Sequence, residues 1–121
     1  MGNSKIYSKI IYSRSLEKEL KPWIEKYPKG KVFLATEENV NKIWTSKFDD
    51  FFETNQVKKV VIPAGESNKK IESVAKIWKF LSTNGSDRKS LLINIGGGML
   101  TDLAGFAAST FKRGIDFLNV P

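Results

Sequence analysis

The sequence predicts an α/β fold, a mostly parallel sheet covered by helices on both faces. Three observations carry that expectation. Short apolar runs alternate with segments of helical periodicity along the whole chain. The runs are continuously apolar, as in strands buried on both sides. The segments between them are long enough for right-handed βαβ crossovers. At 121 residues with 40% hydrophobic content, the chain fits one domain with a real core.

The elements follow in order. Ile6 to Tyr12 alternates and is rich in Ile and Tyr, which predicts a strand or hairpin. Leu16, Leu20, Trp23, Ile24 and Tyr27 recur at helical spacing, with Pro22 inside, so this helix is expected to kink or start late. Pro28-Lys29-Gly30 is a turn, and Lys31 to Thr36 a short buried strand. Val40, Ile43, Trp44, Phe48, Phe51 and Phe52 mark one face of a second helix. Lys59 to Pro63 is the next strand. Ile71, Val74, Ala75, Trp78 and Leu81 form the face of a third helix, which Asn84-Gly85 ends. Leu91 to Ile95 is an apolar strand bounded by polar residues and glycines. Leu100, Leu103, Ala104, Ala107, Ala108 and Phe111 mark a fourth helix, and Phe117 to Val120 a last strand.

Composition narrows the chemistry. There is no Cys, which excludes disulfides and Cys-ligated zinc or iron–sulfur sites. There is no His, so neither a Ser-His-Asp triad nor a His-bound zinc can be built from this chain alone. The 20 basic and 13 acidic residues give a net charge of +7. The lysines are scattered among acids, as in Glu17-Lys18-Glu19, which reads as a solvated surface. No basic cluster is interleaved with exposed aromatics, which argues against a non-enzymatic basic module that binds nucleic acid. No run approaches a membrane span or a signal peptide. A cytoplasmic protein, without nucleic-acid or membrane partners, is expected.

Ligands of such sheets bind at the carboxyl ends of strands, beside helix N-termini. Three strand ends qualify, after Leu34, Ile62 and Ile95, and a fourth candidate follows the last helix. The sharpest is Ile95-Gly96-Gly97-Gly98-Met99-Leu100-Thr101-Asp102, which follows a strand and opens a helix. Glycines there let a pyrophosphate approach the backbone N–H groups at the positive helix end. The alternative is a tight turn with close packing. In Pro63-Ala64-Gly65-Glu66-Ser67-Asn68-Lys69, Glu66 and Lys69 suit a ribose and a phosphate, or form an exposed ion pair of little worth. In Thr36-Glu37-Glu38-Asn39, an acid after the second strand can hold an adenosine ribose or cap a helix. In Phe111-Lys112-Arg113-Gly114, Arg113 either complements a helix C-terminus or grips an anion bidentately. The small face Ala104, Ala107, Ala108 and Ser109 before it suggests a tightly packed helix or a subunit contact.

Together these segments resemble the 3-dehydroquinate synthase family. The elements that carry the resemblance are Gly65-Glu66-x-x-Lys69, Gly96-Gly97-Gly98-x-x-x-Asp102, Leu103-Ala104-Gly105-Phe106-Ala107-Ala108, and Lys112-Arg113-Gly114-Ile115 followed by Phe117 and Val120-Pro121. Arg88 also fits. They cover about half the chain; the first 60 residues match in layout more than in motif.

The resemblance implies a Rossmann-like three-layer sandwich that binds NAD. Residues 1–121 would then be the single N-terminal domain of a longer two-domain enzyme. It implies conversion of 3-deoxy-D-arabino-heptulosonate 7-phosphate to 3-dehydroquinate and phosphate in the shikimate pathway, with a divalent metal, zinc or cobalt, held by a C-terminal domain. Carried over residue by residue, Gly97, Gly98 and Met99 contact the pyrophosphate and Asp102 sits by the nicotinamide ribose. Glu66 and Lys69 stand beside the nucleotide, and Asn39 and Glu37 near the adenosine ribose. Arg113 reaches the phosphate of a sugar-acid substrate across a homodimer. Glu37 stands where the family commonly has Asp, and Thr101 where it often has Gly. The family's downstream metal ligands and catalytic lysines are absent, so the resemblance implies no catalytic residue here, no synthase activity from this chain alone and weak NAD affinity. Other sugar-phosphate cyclases, such as 2-deoxy-scyllo-inosose synthases, fit the same motifs. The Gly105-Phe106-Ala107-Ala108 and Arg113-Gly114 run argues against iron-dependent alcohol or glycerol dehydrogenases.

Overall fold

The computed structural model describes residues 5–11, 15–64 and 70–121. Its strands are β1 (Ile6–Ser8), β2 (Val32–Glu37), β3 (Lys58–Ile62), β4 (Leu91–Ile95) and β5 (Asp116–Val120). They form one sheet in the order β1-β5-β4-β2-β3, and every pairing is parallel. The helices are α1 (Leu16–Glu25), α2 (Glu38–Ile43), α3 (Asp49–Thr54), α4 (Lys70–Thr83) and α5 (Gly98–Thr110).

Alternation along each strand sends side chains to opposite faces. Val32 and Leu34 of β2 join a core with Leu16, Leu20 and Ile24 of α1 and Phe52 of α3. Phe33 and Ala35 join the opposite core with Val74, Ile77 and Leu81 of α4 and Ala104, Ala107 and Ala108 of α5. The result is the expected three-layer α/β sandwich. β2 and β4 are buried along nearly their whole length, which explains their mostly apolar sequences, interrupted by Thr36 and Glu37 in β2 and Asn94 in β4. β3 lies at an edge and carries Lys58 and Lys59, which discourage further pairing there. No helix among the described residues is long and apolar enough to cross a membrane.

Four expectations are corrected in detail. The first strand is short: of Ile6 to Tyr12 only Ile6–Ser8 pairs, in parallel with β5, and Tyr12 lies outside the described residues. The first helix runs through Pro22 from Leu16, held by Leu16, Leu20 and Ile24 in the core. The single second helix is instead α2, a 3₁₀ turn at Thr45–Phe48, and α3. Trp44, with φ −132° and ψ −65°, breaks it. Beside the break, buried Thr45 donates its hydroxyl to Asn41 Oδ1 at 2.8 Å, and the Lys59 ammonium donates to Asn41 Oδ1 and Asp49 Oδ1 at 2.6 and 2.7 Å. Such side-chain bonds compete with a continuous helix and fold the segment onto β3. In α4 the buried face is Val74, Ile77 and Leu81, whereas Ile71, Ala75 and Trp78 are exposed. That helix is apolar on two sides, so periodicity alone merged its core stripe with its outer one.

The small side chains of α5 serve close packing, not an outer contact. Ala104, Ala107 and Ala108 are fully buried against the sheet. A Cβ added at Gly105 would come within 3.0 Å of the Phe117 ring on β5.

Candidate nucleotide site at the strand switch

The strand order creates the site. The chain leaves β2 toward β3 on one side, while β4 is followed by β5 on the other. The exits of these two adjacent strands diverge, and the gap at their carboxyl ends is the usual ligand crevice of a doubly wound sheet. A cavity of about 200 Å³ occupies this place. Glu37 comes to it from the end of β2, Ile62 and Pro63 from the end of β3, Ser73 from α4, and Gly97, Met99, Leu100 and Leu103 from the glycine turn and α5.

The three glycines divide the two roles that the sequence left open. Gly96 is the packing glycine: its φ is +159°, and an added Cβ would stand 2.6 Å from Leu100 Cδ2. Among the described residues, Gly97 and Gly98 meet no atom within 4 Å at the same test. Gly97 lines the crevice, so the space left by its missing side chain opens there. Gly97 is the N-cap of α5, no described side chain caps it, and the first turn holds no acid. The N–H groups there, and the positive end of the helix, face an unfilled space that suits an anion.

Glu37 caps a helix and also faces the crevice. One carboxylate oxygen accepts the Val40 N–H at 2.6 Å and caps α2, while the side chain also lines the crevice. Glu38, not singled out from the sequence, accepts the Ala64 N–H at 3.1 Å and ties the start of α2 to the chain beyond β3. Its signal was only that it is the second of two consecutive acids at a strand end. Asn39 is exposed in the first turn of α2 and lines neither this cavity nor its neighbour.

Asp102 is exposed one turn into α5 and opens on a second, apolar groove of about 380 Å³ between α4 and α5. Ile71, Trp78, Met99 and Phe106 line it, with Lys70 and Asp102 among its few polar residues. Met99 and Leu103 belong to both spaces, so groove and crevice adjoin. The Trp78 indole N–H donates to Ala107 O at 3.1 Å and to Thr110 Oγ1 at 3.2 Å, locking α4 on α5 along the groove.

Arg113 is not at this site. It lies beyond the far end of α5, and 13 residues at ~1.5 Å each separate it from the glycine turn by about 20 Å. It is exposed and sits in a turn where Lys112, Arg113 and Gly114 have φ of 45°, 70° and 100°. Glu66 and Lys69 lie outside the described residues. Among the described residues no group of three or more Asp, Glu, His or Cys could hold a metal ion.

Comparison with known proteins agrees with this geometry. Residues 59–121, more than half of the chain, match the family model described as 3-dehydroquinate synthase N-terminal. The 3-dehydroquinate synthase of Clostridium botulinum is 44% identical over 120 residues, covering 97% of this chain and 34% of the relative. That of Parabacteroides distasonis is 37% identical over 113 residues, covering 93% and 32%. The chain thus spans about a third of the length of these relatives. Among solved structures, a 2-deoxy-scyllo-inosose synthase with carbaglucose-6-phosphate, NAD+ and Co2+ aligns over 98% of this chain and 32% of its own, at TM-score 0.71 and 18% identity. A 2-epi-5-epi-valiolone synthase from Streptomyces hygroscopicus with NAD+ and Zn2+ aligns over all of this chain and 33% of its own, at TM-score 0.69 and 15% identity. At those identities the likeness establishes the fold. The matched motifs and the glycine turn they place at the strand switch make this chain a member of the 3-dehydroquinate synthase N-terminal family.

Proposed function

We propose that residues 1–121 form the NAD-binding portion of a cytoplasmic 3-dehydroquinate synthase, which turns 3-deoxy-D-arabino-heptulosonate 7-phosphate into 3-dehydroquinate and phosphate. The observation that carries this reading is the open space at Gly97 and Gly98 above an uncapped helix N-terminus. A pyrophosphate fits there and would take the backbone N–H groups of Gly97, Gly98 and Met99. Glu37 and Asn39 would meet the adenosine ribose, Asp102 the nicotinamide ribose, and Glu66 and Lys69 the nucleotide's flank. NAD held by these residues would supply reversible hydride transfer with a substrate alcohol. A metal would be held by the remaining two thirds of the enzyme, and the chain alone would turn over no substrate. Identities of 33–44% to several 3-dehydroquinate synthases, against 15–19% to the other cyclases, favour this substrate over theirs.

Arg113 would serve the substrate phosphate of a partner subunit. Its distance from the crevice of its own chain supports action in trans. The outer face of α5 carries Asp102 near one end and Lys112 and Arg113 beyond the other. Two copies packed with α5 antiparallel would match these charges, as a two-fold interface requires.

Calorimetry with NAD tests the reading, with Asp102→Ala and Glu66→Ala as controls. Saturable binding weakened by either change is expected. Failure of the chain to bind, repeated with the full-length enzyme, would refute it.

A further inference from the structure

The peptide unit just before the glycine turn is gripped from two sides. The Thr36 hydroxyl, fully buried at the end of β2, donates to the Ile95 carbonyl at 2.7 Å. The N–H of the same peptide unit, that of Gly96, donates to the Val120 carbonyl of β5 at 3.1 Å. Thr36 and Ile95 are register partners across the strand switch, and Ile95 and Val120 are partners on its other side. Beyond this peptide the turn is next tied at the start of α5, where the Thr101 N–H donates to Gly97 O at 3.0 Å and the Thr101 hydroxyl to Gly98 O at 3.2 Å. Between the two ties Gly96 has φ +159°. The direction of the N–H groups in the turn therefore depends on the plane of the Ile95–Gly96 peptide at one end.

We propose that Thr36 is a positioning residue for the anion cradle: its hydroxyl fixes the Ile95–Gly96 peptide plane and so aims the N–H groups of the glycine turn into the crevice. It touches no ligand itself. The inference rests on the nucleotide reading above for its consequence, and on the two hydrogen bonds for its mechanism. A buried hydroxyl needs a partner, but any nearby carbonyl would satisfy it. The Ile95 carbonyl is the one whose peptide leads directly into the turn.

The test uses Thr36→Val, which keeps the shape and β-branching and removes the donor, and Thr36→Ser, which keeps the donor. Two readouts are needed. Amide resonances and exchange rates of Gly96, Gly97 and Gly98 report the turn without ligand, and calorimetry reports NAD affinity. Thr36→Val should shift these amides more than those of the remaining sheet, speed exchange at Gly96, and raise the Kd for NAD by about tenfold, the range of one lost hydrogen bond. Thr36→Ser should stay within twofold in Kd with near-native amides. A purely structural Thr36 would lower the melting temperature and leave the glycine amides and the Kd alone; that result overturns the proposal. If neither the wild-type chain nor the full-length enzyme binds NAD, the nucleotide reading fails by itself. The amides then decide the positioning role: shifted, it holds; unmoved, it falls.

Discussion

Alanine substitutions along Gly96-Gly97-Gly98 should separate stability from binding within three consecutive residues. At Gly96 the new Cβ would lie 2.6 Å from Leu100 Cδ2 and 3.2 Å from Leu100 Cβ, at φ +159°. Leu100 is buried in the core of α4 and α5, and rotation of its side chain would not move the Cβ at 3.2 Å. Overpacking of this kind costs about 1–3 kcal/mol, which for a domain of this size lowers the melting temperature by roughly 3–15 °C. At Gly97 and Gly98 the new methyl meets nothing within 4 Å. Gly97 has φ −73° and ψ −177°, open to any residue, and Gly98 begins the helix. Alanine there should leave stability unchanged or raise it by up to ~1 kcal/mol, because the unfolded chain loses freedom. The same methyls would occupy the approach to the N–H cradle, so the Kd for NAD should rise at least ~tenfold, about 1.4 kcal/mol. Thermal unfolding and calorimetry on the three variants read both quantities. If Gly97→Ala and Gly98→Ala bind NAD as the wild type does, the open space is not the cradle. If Gly96→Ala is as stable as the others, the packing argument fails.

Other outcomes follow from the same coordinates. Gly105→Val should destabilise by about 1–3 kcal/mol, since even a Cβ comes within 3.0 Å of the Phe117 ring, and denaturant titration would show it. The Asp87 carboxyl is held below its ordinary value of 3.8, first by the Lys89 N–H at 2.9 Å; burial opposes this, and Lys31 at 3.2 Å adds a lesser lowering. Its contribution is therefore complete above the ordinary carboxylate value and lost as pH falls through the lowered one. Asp87→Asn keeps the acceptor and removes the charge. It should cost about 0.5 kcal/mol at neutral pH, given the solvent screening of a half-exposed pair, and nothing in strong acid. A gap that persisted in acid would argue against the assignment. Phe106→Asp, on the outer face of α5, should shift the full-length enzyme from dimer toward monomer in sedimentation while leaving the melting temperature of the 121-residue chain unchanged. In the full-length enzyme, Arg113→Ala should raise the KM for the phosphorylated substrate by tenfold or more and leave NAD affinity intact, in keeping with its distance from the crevice.

The layout of the fold was legible because the buried strands are unambiguous. Val32 to Ala35 and Leu91 to Ile95 face a core on both sides, so nothing in them resembles a surface. What periodicity could not resolve were segments with two apolar faces or none. In α4 the stripe Ile71, Ala75 and Trp78 runs beside Val74, Ile77 and Leu81, and an apolar residue facing outward looks the same in sequence as one facing inward. Between Val40 and Phe52 the aromatic spacing concealed a break that local hydrogen bonds of Thr45, Asn41 and Lys59 impose. At the site, the glycine run was visible but its division of labour was not. Only the position of Leu100 reveals that Gly96 serves the fold and that its two neighbours are free of it. Thr36 was invisible for a similar reason: a Thr at a strand end is ordinary, and its meaning lies in which carbonyl it reaches across the sheet.

The fold explains why Arg113, proposed to serve a substrate phosphate, can be conspicuous in the sequence and absent from the crevice. Parallel strands put every strand exit on one edge, and every helix returns the chain to the other. α5 therefore separates Gly97 at the ligand edge from Arg113 at the opposite edge by about 20 Å, and no side-chain rotation spans that. Three consecutive residues at positive φ, two of them not glycine, hold Arg113 in its turn at some conformational cost. The Gly114 N–H to Phe111 O bond at 2.6 Å and the Ile115 N–H to Ala108 O bond at 2.9 Å keep that turn in place. A guanidinium fixed this way and left exposed serves no purpose within its own chain's crevice. In the proposed two-fold arrangement a second α5 would lie antiparallel to the first. The roughly 20 Å that removes Arg113 from one glycine turn would then be the span that carries it to the other, and each crevice would be completed by the partner chain.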